Sequence, residues 1–295
     1  MANLKALSQR IKSVKSIQKT TRVMQMISAS KFRAARVSLA YAREYYEKLS
    51  TNLNTQSPKR SIDYPKPSSS ELFVIFSSDR GLCGGFNYSI AKAFCEYLSR
   101  KKDEAGVRQE FLFIGTKVYD IVRSRMGDLE SSAVVKVVPQ TKSMNFPGFK
   151  DFLHKLSIDF MTFRKVSVLY TKFNTISSQE QVVEDILLND YEASDEECPP
   201  DPSGIEAEIE SACIYDPSFS EISDEVWIKK FFGKFYLAAC ESMVCEHCSR
   251  MVAMESANSN TGSMLDRLVL SYNRSRQAAI TTDLIEVISG CEALG

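Results

Sequence analysis

The segment SSDRGLCGGFN (77–87) contains the residues that look most like a site for chemistry. It follows a predicted buried strand and precedes a predicted helix, which is where phosphate-binding loops lie. It has neither the GxGxxG spacing of a dinucleotide site nor the GK[ST] ending of a P-loop. Because Gly81, Gly84 and Gly85 also permit a tight turn with close packing, we interpret the segment as a structural turn.

A second candidate is the stretch that contains Cys240, Cys245, His247 and Cys248. A zinc site needs about four ligands in a tetrahedral arrangement. On a continuous helix Cys245 and Cys248 share a face, whereas His247 points about 100° away from Cys248. We therefore favour small side chains packed in a helical seam. The isolated His154 has no second histidine or nucleophile beside it in the pattern, so we predict no catalytic residue, no cofactor and no metal site.

Two long terminal helices must position these segments. Residues 1–55 and 222–292 both carry apolar residues mostly three and four positions apart, the spacing of one helix face or of a coiled-coil seam. The matched periods predict an antiparallel pair of helices that projects from a compact middle domain. The apolar positions are Leu4, Leu7, Ile11, Val14, Ile17, Met24, Ile27, Leu39, Tyr45, Leu49 and Leu53, then Trp227, Phe231, Leu237, Val244, Met251, Met254, Leu265, Leu268, Tyr272, Ile280, Leu284, Val287 and Ile288.

Strand and helix patterns alternate between these helices, after a proline-containing linker at 57–70. Such alternation predicts an α/β fold with a mainly parallel sheet. Predicted strands lie at 71–78, 110–115, 132–139, 165–173 and 179–188, and predicted helices at 86–101, 117–126 and 149–161. The last two strands are candidates for a hairpin. We expect an acidic loop at 189–211, a short edge strand at 212–218, and a bend or thinner packing at the polar NSNTG (258–262).

Charge is distributed unevenly although the net charge is zero. The first 43 residues contain ten Lys and Arg and no Asp or Glu, whereas 172–229 contains sixteen Asp and Glu between its two terminal lysines. Such a basic helix indicates an acidic neighbour. Duplex DNA is one alternative, but no groove-reading module is present. No apolar run approaches the roughly 18–20 residues that span a bilayer, and the eight scattered cysteines favour reduced thiols.

Three blocks of this chain resemble the gamma subunit of F-type ATP synthases, of the bacterial type. They are LKALSQRIKSVKSIQKTTRVMQMISASKFRAA (4–35), SSDRGLCGGFN (77–87) and RMVAMESANSNTGSMLDRLVLSYNRSRQAAITTDLIEVISG (250–290). The resemblance implies an antiparallel coiled coil made of an N-terminal shaft helix (1–57) and a C-terminal shaft helix (219–295). It also implies a Rossmann-like globular domain (58–218) that binds no nucleotide.

The resemblance further implies a non-catalytic rotor that couples c-ring rotation to conformational cycling of the catalytic beta subunits of a proton-translocating ATP synthase. The implied partners are the hexamer of three alpha and three beta subunits, the epsilon subunit and the c-ring. Nucleic acid and direct membrane insertion are not implied. The implied location is peripheral, on the cytoplasmic side of a bacterial inner membrane. The alternative is a nucleotide-dependent α/β enzyme that uses the 81–85 glycine turn.

The resemblance also implies which residues meet the beta subunits. The basic residues of the first block face acidic beta-subunit loops, and a methionine lies near the beta-subunit lever. Near the C-terminus, one Arg-Gln pair contacts a catch loop, with two neighbouring contact positions. These residues are Arg22, Met24, Lys31, Arg33, Arg36, Arg276, Gln277, Thr281 and Asp283.

Overall fold

The structure is a computed structural model that describes residues 2–54, 68–101, 108–126, 134–140, 145–156, 158–188 and 219–292. The chain divides into two compact units, Met1–Lys31 with His247–Gly295, and Phe32–Glu246. We call them the terminal unit and the sheet unit. Both divisions fall inside a long helix, whereas the sequence boundaries were expected at the helix ends.

The elements follow the predicted alternation. In chain order they are α1 (Ala2–Asn54), β1 (Ser68–Phe76), α2 (Phe86–Lys101), β2 (Arg108–Ile114), α3 (Lys117–Met126), β3 (Val134–Val138), α4 (Phe146–Lys155), β4 (Phe163–Phe173), β5 (Gln179–Leu188) and α5 (Phe219–Glu292), with a 3-10 turn at Phe160–Thr162. Among the described residues, no helix is long and apolar enough to cross a membrane.

The described strands form one five-stranded sheet in the order β3-β2-β1-β4-β5. The first four strands are parallel, and β5 pairs antiparallel with β4. The order reverses after β3, because α4 leads the chain back to the other side of β1. This is the Rossmann-like pattern of two sets of crossovers diverging from a central strand. The predicted α/β fold, with a mainly parallel sheet and long terminal helices, is therefore confirmed.

The two faces of the sheet are covered by different helices. Phe73 and Ile75 of β1 lie in a buried cluster with residues of α2 and α3, including Phe94. Phe76 points to the other face, where its ring lies 6.4 Å from that of Phe235 on α5. This alternation follows from the period of two in a strand, and it explains why β1 is apolar at every position from Leu72 to Phe76.

In the sheet unit, α1 and α5 run side by side in opposite directions. Arg43 pairs with Glu241, whereas a Cβ on Gly233 would lie 3.4 Å from Tyr45 and 3.6 Å from Leu49. Moving along the pair, the residue number thus rises on α1 while it falls on α5, as in antiparallel helices. A Cβ at Gly233 would make only ordinary van der Waals contacts with these two side chains, so the packing of α1 does not require a glycine there.

The predicted bounds of α2 and α3 agree with the structure, but those of α4 were wrong. The helix begins at Phe146 instead of 149, because Pro147 lies in its first turn, where proline is favoured. The N-cap residue, Asn145, has an extended backbone and makes no side-chain capping hydrogen bond. It ends at Lys155 and a separate 3-10 turn follows, so the predicted extension to 161 was also wrong. The expected loop at 189–211 and edge strand at 212–218 lie outside the described residues.

Candidate functional site

The terminal unit contains an antiparallel pair formed by the first part of α1 and the last part of α5. Gln18 Nε2 lies 3.5 Å from where a Cβ of Gly262 would be. Lys31 is close enough to His247 to act on its charge state. From the first of these neighbouring pairs to the second, the residue number rises by 13 on α1 and falls by 15 on α5, as an antiparallel pair requires.

The residues of α1 that face inward recur at alternate intervals of three and four positions, which is the heptad spacing of a coiled coil. In the terminal unit its apolar start is followed by polar positions at Gln18, Thr21, Gln25 and Ser28. The sequence placed Ile17 and Ile27 in this seam, and that was wrong, because both are 52% exposed. Apolar residues before and after the polar stretch keep the heptad in phase, so the polar residues in between turn inward.

On α5 the matching inward positions are also polar at Asn258 and Thr261. The helix continues without interruption through 258–262. Thr261 Oγ1 bonds to the carbonyls of Ala257 and Asn258 in its own helix, while the buried Asn258 Oδ1 accepts no hydrogen bond. The middle of this seam is therefore held by fewer apolar contacts than its ends.

The predicted contact residues of α1 lie on its outer surface, except for one. Arg22, Lys31, Arg33 and Arg36 are exposed, and Met24 is half-buried at the margin of the seam. Arg22, Met24 and Lys31 belong to the terminal unit, whereas Arg33 and Arg36 belong to the sheet unit. In the sheet unit, the Arg36 guanidinium lies 6.0 Å from the centre of the neighbouring Phe32 ring.

The predicted contact residues of α5 are all exposed and occupy two sides of the helix. At 100° per residue, Arg276 and Asp283 lie about 20° apart, and Gln277 and Thr281 lie about 40° apart. Thr281 Oγ1 donates a hydrogen bond to the Gln277 carbonyl at 2.9 Å. Its hydroxyl proton is thus engaged within the helix, while the side chains of Arg276 and Gln277 extend outward.

Within the terminal unit, the predicted contact residues Arg22 and Arg276 lie far apart. Arg276 lies 14 residues beyond Gly262 on α5, and Arg22 lies four residues from Gln18 in the opposite direction. At 1.5 Å per residue, these 18 residues separate the two arginines by roughly 27 Å along the helix pair.

The end of α5 extends past the start of α1. α1 begins at Ala2, 16 residues before Gln18. Since Gln18 lies beside Gly262 and the helices are antiparallel, Ala2 is level with the residue 16 positions after Gly262, which is residue 278 of α5. About 14 further residues, roughly 21 Å of helix, therefore have no α1 segment opposite them. The sequence assigned the apolar residues of this tip to the seam, and that was wrong.

The tip residues Ile280, Leu284, Ile285, Val287 and Ile288 are 51–63% exposed. The signal for this overhang was the greater length of the C-terminal apolar pattern.

The glycine turn uses its polar groups internally. The Ser78 N–H donates to Asn87 Oδ1 at 3.3 Å, and Asn87 Nδ2 donates to Ser78 Oγ at 2.8 Å and to Cys83 Sγ at 3.2 Å. All three residues are buried. This network binds the end of β1 to the start of α2.

The glycines of the turn differ in their structural roles. Gly84 has φ 59°, and Leu82, which is exposed and two residues earlier in the turn, has φ 62°. Residues other than glycine seldom adopt this region. At Gly81 and Gly85, an added Cβ would meet no atom within 4 Å. The close packing predicted at these two positions is therefore absent, and only Gly84 has a conformational requirement of the kind predicted.

A Rossmann-like sheet binds ligands outside the carboxyl ends of its strands, where the crossovers diverge. Here that edge is covered by α5. Cys245 Sγ donates to the carbonyl of Thr171 on β4 at 3.4 Å, and the Phe173 N–H at the end of β4 donates to Glu241 Oε2 at 2.7 Å. The chain's own helix thus occupies the edge that a nucleotide would use, which removes the structural support for the nucleotide-enzyme alternative.

The cysteine and histidine candidates are packed side chains. Cys240, Cys245 and Cys248 are reduced thiols and fully buried, and burial raises the pKa of Cys240 to about 12. Burial, with a smaller effect of Arg250, lowers the pKa of His247 to about 4. Among the residues that the structure describes, no three His, Cys, Asp or Glu side chains are grouped as metal ligands would be.

Known proteins similar to this chain are ATP synthase subunits. A family model described as ATP synthase matches residues 3–294. The ATP synthase gamma chain of Ehrlichia ruminantium (strain Welgevonden) is 41% identical over 298 residues, covering 100% of this chain and 99% of that relative. The ATP synthase gamma chain of Ehrlichia canis (strain Jake) is 40% identical over 297 residues, covering 100% of both.

Solved structures agree at the level of fold. A chain of the Euglena gracilis mitochondrial ATP synthase, OSCP/F1/c-ring in rotational state 3, aligns with a TM-score of 0.66 at 16% identity, covering 99% of this chain and 95% of that one. A chain of the Tetrahymena thermophila mitochondrial ATP synthase central stalk/c-ring aligns with a TM-score of 0.55 at 23% identity, covering 81% and 99%.

Proposed function

The chain belongs to the ATP synthase gamma chain family, and from this membership we propose that it is the central-stalk rotor of an F1 sector. In this role it makes and breaks no covalent bonds. It couples rotation of a c-ring, driven by proton translocation, to sequential changes in the catalytic beta subunits. Its partners are the hexamer of three alpha and three beta subunits, the epsilon subunit and the c-ring.

The exposed tip of α5 is the structural observation that best supports this proposal. Five branched apolar side chains with no α1 segment opposite them form a surface that soluble proteins seldom leave in water. Apolar contact is non-directional. A tip of this kind can be enclosed by an apolar sleeve and still turn inside it, because no fixed hydrogen bond holds one rotational position.

Coupling requires that the shaft present a different surface to each catalytic subunit. α1 and α5 of the terminal unit have different outer faces, one rich in Lys and Arg and the other with separate polar and apolar sides. Whichever face meets a beta subunit favours one conformation of that subunit. This is a coupling free energy between the shaft and a distant nucleotide site.

Arg276 and Gln277 serve as switchable contacts in this mechanism. Both extend outward from α5 close to the start of the apolar tip. Their hydrogen bonds to a beta subunit form and break once per turn, whereas Arg22, Lys31, Arg33 and Arg36 meet acidic beta-subunit loops elsewhere along the shaft. Met24, Thr281 and Asp283 complete the proposed contact set.

The chain acts at the surface of a membrane in this proposal. The relatives named above are bacterial proteins, and the complex holds the chain beside the membrane through the c-ring. We place it on the cytoplasmic side of a bacterial inner membrane, as a peripheral protein.

Co-purification tests the proposed function. The tagged chain, isolated from its native membrane with mild detergent, should bring ATP synthase alpha and beta subunits with it. Their absence from a preparation in which the chain itself is folded would contradict the proposal.

A double substitution tests the switchable contacts. Arg276→Ala with Gln277→Ala should lower ATP turnover of the assembled complex several-fold, because two transient contacts with a beta subunit are lost. The matched control is Arg108→Ala with Gln109→Ala, the same dipeptide at the start of β2, where Arg108 is exposed. Equal turnover in the two double variants would refute the roles of Arg276 and Gln277 and leave the rotor function standing.

A further inference from the structure

Two buried glutamates hold α5 to the carboxyl edge of the sheet. Glu241 has a side chain that is 4% exposed, and Glu246 is 4% exposed. Both lie on the last turns of α5 within the sheet unit. Glutamate is seldom buried in this way unless its charge is paired or bonded. The contacts of each therefore show what it does for the fold.

Glu241 joins three elements at one point. Its Oε1 accepts hydrogen bonds from Nε and Nη2 of Arg43 on α1 at 2.9 and 2.7 Å. Its Oε2 accepts from the Phe173 N–H at the end of β4 at 2.7 Å. Arg43 closes the triangle by donating from Nη2 to the Phe173 carbonyl at 2.8 Å. One carboxylate thus binds both long helices and a central strand of the sheet.

Glu246 makes a second attachment further along α5. Gln140, just after β3, donates from Nε2 to Glu246 Oε2 at 3.0 Å. The backbone N–H of Gln140 donates to Asp79 Oδ2 at 2.9 Å. This attachment reaches the glycine turn after β1. The two glutamates therefore connect α5 to three strand ends.

Hydrogen bonds to these glutamates restrain movement of α5 against the sheet differently from apolar packing. Apolar packing resists separation of a helix from a sheet, but it has little preference for direction and allows sliding. Charge-assisted hydrogen bonds are short and directional. Attachments at two points, five residues apart, oppose both sliding of α5 along its axis and turning about it.

We infer that Glu241 and Glu246 are positioning residues for energy coupling, which anchor α5 so that rotation of the sheet unit is passed to the helix without slip. This inference rests on the proposed rotor function. In that function the rotation enters through the contacts of the sheet unit with the ring, and α5 carries it onward through the unbroken helix.

The test uses the complete ATP synthase in inverted membrane vesicles. ATP hydrolysis and ATP-driven proton pumping are measured on the same vesicles, and the ratio of pumping to hydrolysis is compared. In Glu241→Gln, the amide has one acceptor oxygen and a donating nitrogen, so it cannot satisfy both the Phe173 N–H and Arg43. The ratio should fall at least twofold in assembled Glu241→Gln complexes, and in the same direction for Glu246→Gln.

Glu225→Gln is the matched control, because Glu225 is on the same helix in an exposed pair with Lys229 at 2.9 Å. Its pumping ratio should equal that of the wild type. A wild-type ratio in assembled Glu241→Gln complexes would overturn the inference, even if the variant subunit melts at a lower temperature. A purely structural role predicts that lower melting temperature with normal coupling.

Arg43→Lys provides a second variant if Glu241→Gln fails to assemble. Lysine keeps the charge but cannot reproduce the Nε and Nη2 pair of bonds, so a partial loss of the pumping ratio is expected. Failure of both variants to assemble would assign the anchor to folding alone and overturn the inference. The proposed function has a separate criterion, because it fails only if the wild-type chain assembles with no alpha and beta subunits.

Discussion

Replacing Asn258 by leucine should stiffen the polar middle of the helix pair in the terminal unit. Asn258 occupies an inward position of α5, and its buried Oδ1 accepts no hydrogen bond. Leucine has the same branching at Cγ as asparagine and no polar atom to leave unpaired. The substitution therefore removes a penalty while preserving shape.

The expected gain can be bounded from these features. A buried polar atom without a partner costs about 1–3 kcal/mol. Part of the gain is lost to imperfect packing of the two methyl groups in a seam that is polar at this level. We expect the free energy of local opening to rise by about 1–2 kcal/mol, which corresponds to a factor of about 5–30 in the opening equilibrium.

Amide hydrogen exchange, followed by mass spectrometry, measures this opening segment by segment. It suits a chain with two compact units, in which a single unfolding midpoint would mix two events. Peptides from 11–31 and 254–268 should exchange about 5–30 times more slowly in Asn258→Leu. Asn260→Leu is the control, because Asn260 is exposed. Unchanged or faster exchange in Asn258→Leu, or equal slowing in the control, would refute the assignment of Asn258 to the seam.

Two further predictions concern single positions. Gly115→Ala should lower the free energy of unfolding by about 2–4 kcal/mol, because Gly115 has φ 106° and its Cβ would lie 2.5 Å from the Ser77 carbonyl oxygen. A urea titration measures this free energy of unfolding, and Gly81→Ala, the control, should change it little. An equal loss of free energy in Gly81→Ala and Gly115→Ala would contradict this explanation. For His247, the folded-state pKa of about 4 lies below the unfolded value, so the folded state resists protonation. Its contribution to stability is present above about pH 6.5 and is lost as the pH falls towards 4, by up to about 3 kcal/mol. His247→Gln should flatten this decline in stability against pH, and an unaltered decline in His247→Gln would exclude His247 as its source.

Local patterns were sufficient for most elements of the sheet unit. The bounds of α2 and α3 follow from helix-forming residues between strands, and the β4–β5 hairpin follows from two apolar runs around a polar turn. α4 shows the limit of this approach. The apolar period suggested a longer helix with a later start, but Pro147 in the first turn favours a start at Phe146.

Local sequence patterns did not predict which face of a long helix is buried, because that choice depends on residues far away in the chain. Ile17 and Gln18 are neighbours, and a local apolar pattern favours Ile17 for the seam. The structure places Gln18 there, because the heptad is set by apolar residues elsewhere on α1 and by the partner helix. The tip of α5 was misassigned for a related reason, since its exposure depends on where the opposite helix begins.

The sequence by itself determined the family, the α/β fold and the long terminal helices. Secondary-structure propensity, hydrophobic period and sequence motifs depend on residues close together in the chain, so they can be recognised without the three-dimensional structure. Only the tertiary structure decided the polar seam, the exposed apolar tip and the covering of the sheet edge by α5. It also revealed Glu241, whose partner Arg43 lies 198 residues away. Contacts of that kind depend on the pairing of whole elements, and no local pattern of residues encodes it.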